Sequence, residues 1–299
     1  MLVLTRADVE ELLDLDRLIP ALADAHRELS AGDVSLPPRI AAFAPQGLLG
    51  AMPAYLPSAG LGCKLVSVYP RNTDFDTHQA TIMLFDPENG APLALMDGTY
   101  ITAMRTAAAA ALSTQLLARE DARVLAILGT GVQSRSAQEM FPRVRDFVEV
   151  RVAGRGEFEE AVRGADVVAA TTAAGEPVVR LEWLGEGVHV TSVGYDPPGS
   201  ELDPAIVERA DLICVESRAS ALAEPPAGAV ELAGVATDAV VELGELASGG
   251  RPGRQSPAEI TLYKSVGVAV QDLAAAALVF QEARARKTGL EIELEELRA

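Results

Sequence analysis

The sequence of 299 residues has little of what several classes of protein need. Two cysteines, Cys63 and Cys214, and three histidines are too few for a disulfide framework or a His- and Cys-rich metal site. Basic residues are also scarce: 25 Lys and Arg against 43 Asp and Glu leave a net charge of −18, which disfavours nucleic acid as a partner. No apolar run approaches the roughly 18 residues that span a bilayer, and Arg6 and Asp8 come too early for a signal peptide. We therefore predict a cytoplasmic protein with two reduced core cysteines, no metal and no membrane partner.

Small and aliphatic residues dominate what is present. Hydrophobic residues make up 49% of the chain, whereas aromatic residues make up only 4%. This content is enough to fill two cores, and a chain of this length is long for one. The balance favours an α/β protein over an all-β sandwich.

The first part of the chain predicts a helix, a sheet and a second helix in that order. Residues 5–8 are typical of a helix start, and the apolar residues in 9–22 recur at helical spacing, which predicts one amphipathic helix. Between residues 37 and 95, short apolar runs are broken by Gly and Pro, and residues 86–90 indicate a hairpin turn. We expect a mainly antiparallel sheet here, followed by an alanine-rich helix over residues 99–118.

The second part of the chain alternates between strand and helix patterns. Buried-strand patterns occur at residues 124–128, 148–152, 167–171, 188–193 and 212–215. This alternation predicts a doubly wound parallel sheet. A Gly- and Pro-rich loop at 248–257 then precedes a final helix at about 266–287, which we expect to return to the first domain.

A glycine-rich turn links the strand at 124–128 to the next helix. Gly129 permits the tight turn, Gly131 lets the backbone approach a pyrophosphate, and Ser134 is small enough for the helix to pack on the strand. The helix N-terminus supplies N–H donors and a positive dipole for the phosphates. We therefore predict a dinucleotide site.

The end of the following strand bears on which dinucleotide binds. NAD sites usually have an acidic residue there, about 20 residues past the loop, whereas this chain has Ala153-Gly154-Arg155-Gly156. Because the cationic side chain of Arg155 could bind a 2′-phosphate, the sequence favours NADP(H), with NAD(H) as the alternative.

Several motifs resemble those of the ornithine cyclodeaminase/mu-crystallin family, over essentially the whole chain and in the family's order. They are His78-Gln79-Ala80-Thr81, Asp97-Gly98, Ile101-Thr102-Ala103, Arg105-Thr106-Ala107-Ala108, Gly129-Thr130-Gly131-Val132-Gln133-Ser134 and Tyr263-Lys264-Ser265-Val266-Gly267. The resemblance implies a homodimer of α/β class. Residues 116–265 would form a dinucleotide-binding Rossmann-type domain, inserted in a discontinuous α+β substrate-binding and dimerisation domain of residues 1–115 plus 266–299.

The resemblance also assigns roles to single residues. Arg39 matches the arginine that holds the substrate carboxylate, Lys64 the active-site lysine, and Asp196 the catalytic aspartate. The predicted cofactor contacts combine positions that match the family with those of the glycine-rich turn and the end of the second strand. They are Thr77, His78, Arg105, Thr106, Gly129, Gly131, Val132, Gln133, Arg155, Thr172 and Ser265. Lys64 and Asp196 would exchange protons near neutrality, with burial and mutual pairing shifting their pKa values.

Family activities leave three functions open. We predict an NAD(P)H-dependent imine (ketimine) reductase or amino-acid dehydrogenase that moves hydride to or from the α-carbon of a small imino or amino carboxylate. The alternatives are an ornithine-type cyclodeaminase and a non-catalytic, mu-crystallin-like ligand-binding protein. Leu49-Gly50-Ala51 precede Met52-Pro53 where cyclodeaminases have an acidic residue, which weakens the case for a diamino acid. A second departure is that the long helix expected after the second Rossmann strand is missing.

Overall fold

The computed structural model describes residues 1–194, 199–225 and 227–293 and divides the chain into two compact units. The first unit contains residues 1–105 and those from Ala269 onward, and the second contains residues 106–268. The predicted domain boundaries after residues 115 and 265 differ from these limits by ten residues and by three. The roles of the two domains stay predictions at this point.

The described residues form the following elements in chain order. The strands are β1 (Leu2–Leu4), β2 (Ile40–Ala44), β3 (Gly47–Leu56), β4 (Gly60–Val68), β5 (His78–Phe85), β6 (Pro92–Asp97), β7 (Val124–Leu128), β8 (Glu149–Ala153), β9 (Val167–Ala170), β10 (His189–Ser192), β11 (Leu212–Val215), β12 (Val240–Glu242), β13 (Thr261–Lys264) and β14 (Leu290–Glu291). The helices are α1 (Arg6–Leu12), α2 (Leu15–Ala31), α3 (Thr99–Leu117), α4 (Val132–Met140), α5 (Phe158–Val162), α6 (Pro204–Arg209), α7 (Arg218–Ala221), α8 (Leu243–Ala247) and α9 (Ala269–Arg286).

The first unit is built on a sheet with the order β14-β1-β6-β5-β4-β3-β2. Its ladders are antiparallel except between β1 and β6, which confirms the predicted, mainly antiparallel sheet. Helix α9 packs on α2 and on strands β3, β4 and β5. Gly62 in β4 permits this close approach, since a Cβ atom there would lie 2.6 Å from Leu273 Cδ2 of α9. The sheet and α9 thereby fix the positions of Lys64 and Asp272, on which the candidate site depends.

The prediction of a single N-terminal helix is wrong, because the chain forms two helices. Thr5 begins α1 with a capping box, in which its side chain accepts from the backbone N–H of Asp8. Helix α1 ends at Leu12, and Leu13 has extended backbone angles. Asp14 then caps α2 by accepting hydrogen bonds from Asp16 N and Arg17 N. Continuous apolar periodicity therefore concealed a second helix start.

The second unit is built on a parallel sheet with the order β12-β11-β13-β10-β9-β7-β8. Strands β9 and β10 are buried at every position, as expected when helices cover both faces of a sheet. Strand order reverses beside β7, with β8 on one side and β9 on the other. Doubly wound sheets bind ligands at the carboxyl ends of the strands at such a point. This architecture confirms the predicted α/β class and Rossmann-type sheet.

Two further predictions concern the cysteines and membrane-spanning helices. Both cysteines are unpaired thiols; Cys214 is buried, as predicted, whereas Cys63 is only half-buried. Among the residues described, no helix combines the length and the apolar character needed to cross a bilayer.

Candidate active site

The glycine-rich turn leaves β7 at Leu128 and enters α4 at Val132. Gly129 has a φ of +118°, and a Cβ atom there would lie 2.9 Å from Thr171 Oγ1 and 3.1 Å from Thr171 O. Only glycine meets both conditions without strain. Gly131 is the N-cap of α4 and has open space at its Cβ position. The backbone therefore forms the turn that the sequence predicted.

The N-terminus of α4 suits an anionic group. No side chain caps Gly131, so the first turn keeps its own N–H donors and the positive end of the helix dipole. Val132 is 42% exposed, Gln133 is half-buried and Ser134 is fully buried against the sheet. An uncapped helix of nine residues that follows a parallel strand fits the pyrophosphate of a dinucleotide.

Strand β8 ends at Ala153 and leads into the turn that contains Arg155. The Arg155 side chain is exposed, and Gly154 N donates to Glu157 Oε2 at 3.1 Å. The nearby carboxylate is thereby held by the turn's own backbone. The crossover that follows contains only α5, a helix of five residues.

A buried glutamate organises the carboxyl ends of β9 and β10. Glu201 is 2% exposed and accepts four hydrogen bonds: from Thr172 N at 2.6 Å, Thr172 Oγ1 at 2.7 Å, Ser192 Oγ at 2.8 Å and Gly194 N at 2.7 Å. The single hydroxyl hydrogen of Thr172 is therefore committed to Glu201. Towards a ligand, this hydroxyl can act only as an acceptor.

The end of β13 is held in a similar way. Lys264 Nζ contacts Ser192 Oγ at 3.0 Å, Gly194 O at 2.9 Å and Glu231 Oε1 at 2.9 Å. The next residue, Ser265, donates its hydroxyl to Glu216 Oε1 at 2.5 Å, and Glu216 is completely buried. Ser265 is thus also an acceptor towards a ligand. Asp196, the predicted catalytic aspartate, lies outside the described residues.

In the first unit, Lys64 extends from β4 into a buried ion pair. The residue is 3% exposed, and its Nζ lies 2.8 Å from Oδ2 of Asp272 on α9. Asp272 is 1% exposed, and its other oxygen accepts from Arg105 Nε at 3.0 Å. One carboxylate therefore holds two cations in the core of the unit.

Arg105 lies beside Lys64, and the cofactor contact that the resemblance implies for it stays a prediction. Its side chain is 5% exposed and bonded to Asp272. Its Nη1 also donates to Gln271 Oε1 at 2.6 Å, and Gln271 Nε2 lies 3.0 Å from His26 Nε2. The arginine is thus held in place from α9, next to Lys64.

The remaining predicted residues occupy several positions. Arg39 is half-buried just before β2, and its charge acts on Lys64. Thr77 is half-buried and immediately precedes His78, the first residue of β5. Desolvation and the charge of Lys64 lower the pKa of His78, although part of the ring stays exposed. Thr106 is buried in α3, where the second unit begins.

The electrostatic setting of Lys64 suits a group that transfers protons. Burial lowers its pKa to about 8, since the charged form is desolvated. Asp272 opposes this shift, whereas Arg105 and Arg39 add to it. Lys64 therefore changes its protonation state near neutral pH, as an acid–base group needs to do.

Two buried cations and one carboxylate leave this cluster with unbalanced positive charge. Lys64 and Arg105 share the single carboxylate of Asp272. A buried surplus of charge is costly unless an anion compensates it. The arrangement can therefore bind a small anion such as a carboxylate.

Sequence reasoning missed three acidic residues, Asp272, Glu201 and Glu216. The sequence does contain a signal for a buried, paired Asp272, because it is the one acidic residue in an Ala-, Val- and Leu-rich stretch at residues 266–280. The two glutamates had no comparable signal, since neither belongs to a recognisable sequence motif.

Comparisons with known proteins give a consistent result. A model of the ornithine cyclodeaminase/mu-crystallin family matches residues 1–158 and 152–287. Ketimine reductase mu-crystallin of Mus musculus is 42% identical over 258 residues, which are 79% of this chain and 80% of the relative.

Two solved structures resemble the whole chain. Delta(1)-pyrroline-2-carboxylate reductase of Thermococcus litoralis, in complex with NADH and L-proline, is 33% identical with a TM-score of 0.89, covering 98% of this chain and 100% of that one. An archaeal alanine dehydrogenase dimer with bound NAD is 33% identical with a TM-score of 0.90, covering 99% of each chain.

The glycine-rich turn gives a direct test of dinucleotide binding. We expect Gly129→Ala to weaken the binding of NADPH or NADH at least about tenfold, because the new methyl group strains the turn and meets Thr171. Isothermal titration with each cofactor measures the effect. Gly164→Ala is the matched control, since Gly164 also has a positive φ but has open space around it. Equal affinities of the two variants would exclude a role for this turn.

Proposed function

The chain belongs to the ornithine cyclodeaminase/mu-crystallin family, and from this premise we propose that it is an NAD(P)H-dependent reductase of small α-imino carboxylates. The reverse reaction is the oxidation of the corresponding amino acid. The observation that supports this function best is the buried cluster of Lys64, Asp272 and Arg105, whose surplus positive charge suits the substrate carboxylate. The similar reductase in complex with NADH and L-proline supports the same substrate class.

The residues of the first unit would bind and orient the substrate. Arg39, Lys64 and Arg105 would neutralise its carboxylate, with the planar guanidinium groups forming paired hydrogen bonds. Asp272 holds Lys64 and Arg105 in their places. The absence of an acidic side chain at Leu49, Gly50 and Ala51 leaves nothing to recognise a distal ammonium group. This favours imine reduction over cyclodeamination of ornithine.

The residues of the second unit would bind the cofactor. Gly129 and Gly131 would let the backbone approach the pyrophosphate, with donors from Val132 and Gln133. The acceptor hydroxyls of Thr172 and Ser265 suit the amide NH₂ group of nicotinamide. A reduced nicotinamide bound there supplies the hydride that reaches the imine carbon.

Reduction of the C=N bond adds a hydride to carbon and a proton to nitrogen. Lys64, with its pKa near 8, is the described residue best suited to hold that proton at neutral pH. We assign Asp196 to the charge of the substrate nitrogen, as the family resemblance implies. Orientation of the substrate relative to the hydride donor is the main contribution of the protein.

We also propose a homodimer in the cytoplasm. The edge strand β2 is exposed along its whole length, and Ile40 and Phe43 are 69% and 80% exposed. Apolar side chains on an unpaired edge favour an interface. The similar alanine dehydrogenase is a dimer, and the unpaired thiols of Cys63 and Cys214 are in keeping with a reducing compartment.

The proposed activity is tested by cofactor oxidation. We expect purified protein to oxidise NADPH or NADH in the presence of Δ1-pyrroline-2-carboxylate, followed by absorbance of the reduced nicotinamide. Lys64→Met should lower kcat/KM at least about a hundredfold, because it removes an acid–base group and a carboxylate contact. Lys287→Met is the matched control, since Lys287 is exposed near the end of α9.

Other outcomes of that experiment identify the alternative functions. Release of ammonia from ornithine without net change in the cofactor would indicate a cyclodeaminase. Failure to turn over either substrate class, with a ligand nevertheless bound, would indicate a binding protein.

Asp272 and the pH profile form a second test. Two groups besides Asp272 act on Lys64, namely Arg105 and Arg39, and the charge of Lys64 in turn lowers the pKa of His78. In the wild type, kcat/KM for imine reduction should fall as the pH rises through about 8, because Lys64 then loses its proton. Removal of the carboxylate in Asp272→Asn lowers the pKa of Lys64 further, so the fall should occur at least about one pH unit lower.

Asp272→Glu is the control for this profile and should return it towards that of the wild type. The substrate titrates equally with all three enzymes, so the difference between the profiles isolates the residue. Superimposable profiles of Asp272→Asn and wild type would show that Asp272 does not govern the proton of Lys64.

The preference for NADPH is a finer proposal that rests on Arg155. We expect Arg155→Ala to raise KM for NADPH about ten- to a hundredfold and to leave KM for NADH almost unchanged, because only NADPH has the 2′-phosphate. Steady-state kinetics with both cofactors measure this difference. Arg163→Ala is the control, as Arg163 is exposed in the same unit and pairs with Glu159. An equal effect on both cofactors would contradict this role.

A further inference from the structure

Strand β8 is the edge of the parallel sheet, and one side of it is open. It pairs with β7 in the register Val124↔Glu149 to Leu128↔Ala153. Within the described residues, no strand pairs with its other side. Edge strands of this kind present free backbone groups, and proteins usually protect them.

The ladder with β7 determines which backbone groups face the open side. Glu149 N donates to Arg123 O at 3.3 Å, and Gly129 N donates to Ala153 O at 2.9 Å. Val148, the residue before β8, also donates its N–H to Arg123 O, at 2.9 Å. The odd-numbered residues of β8 therefore direct their backbone groups towards β7. Since direction alternates along a strand, Val150 and Val152 direct their N–H and C=O groups outward.

The side chains of this edge are also unusual. Val150 and Val152 are each 43% exposed, and their alternate spacing in β8 places them on one face; Val148, just before the strand, is 76% exposed. Glu149 and Arg151 share the opposite face and form an ion pair of 2.8 Å. The edge thus combines an exposed valine row with one acidic and one basic side chain.

We propose that β8 pairs antiparallel with β8 of a second copy of this chain, about a two-fold axis beside Val150. Val150 would face its own equivalent in the other copy. Each Glu149 would then lie opposite an Arg151, in two symmetric ion pairs. The sheets of the two copies would join into one.

Backbone geometry and charge both select this register. A shift that pairs even with odd residues would oppose outward groups to groups already bonded to β7. A two-fold axis beside Arg151 or Glu149 would place two arginines or two glutamates directly opposite each other, which is destabilising. An axis beside Val150 pairs the outward N–H and C=O of Val150 with those of its equivalent and brings opposite charges together, while the N–H of Val148 keeps its bond to Arg123 O. The strand is self-complementary in this register, which is the reason for assigning a second copy as the partner.

The experiment uses two charge-reversal variants of the full chain, alone and mixed. In Glu149→Arg, arginine faces arginine, and in Arg151→Glu, glutamate faces glutamate. We expect each variant alone to associate at least about tenfold more weakly than the wild type. An equimolar mixture should recover the association, because each copy then presents the charges that the other lacks. Sedimentation equilibrium over a range of concentrations measures all three.

Controls separate this edge from other contacts. Glu139→Arg breaks a similar exposed pair, with Arg143 on the surface, and should keep the wild-type association. Because Arg151 also donates to Ala161 O and Arg163 O, circular dichroism first checks that Arg151→Glu is folded. Val150→Asp removes no side-chain hydrogen bond, since valine makes none, and serves as a second disrupting variant.

The outcomes either support or overturn the proposal. Concentration-dependent association of the wild type that Glu149→Arg and Val150→Asp weaken, and that the mixture restores, supports it. Wild-type association that these variants leave unchanged, as a dimer formed through β2 alone would give, overturns it, and so does a wild type that stays monomeric. Weakening that the mixture fails to restore, with folded variants, also overturns the self-complementary register. Because the readout is mass, these outcomes are independent of the proposed activity.

Discussion

One buried carboxylate, Asp272, fixes the charges on which the account depends. It pairs at once with Lys64 from the sheet and with Arg105 from α3, in surroundings where an unpaired charge is costly. Because the single negative charge of Asp272 balances only one of the two cations, the cluster keeps a net positive charge that an anion would neutralise. Gly62 makes the arrangement possible, since it lets α9 approach β4 closely enough for the ion pair to form.

Buried glutamates do comparable work in the second unit. Glu201 and Glu216 take the hydroxyl hydrogens of Thr172 and Ser265 and leave both hydroxyls as acceptors. In both units, an acidic side chain that would not contact a ligand fixes the groups that would. Ligand binding thus depends on the acidic residues that orient the binding groups as much as on the binding groups themselves.

Local patterns in the sequence were sufficient for much of the fold. The glycine-rich turn, the hairpin and the alanine-rich helix each depend on neighbours in the chain, and all three were predicted. The pairing of Arg105 with Asp272 joins residues 167 positions apart, so no local pattern could reveal it. Strand β13 was also missed, because four residues that include Lys264 give no strand pattern, although the strand is central in its sheet.

The central claim is that the cluster around Asp272 binds a substrate carboxylate, and a matched pair of ligands tests it most directly. L-Proline and L-prolinamide have the same ring, but only the acid has a negative charge. The account predicts that L-proline inhibits NADPH oxidation competitively against the imino acid and that L-prolinamide is at least about a hundredfold weaker. Equal inhibition by the two compounds would contradict it.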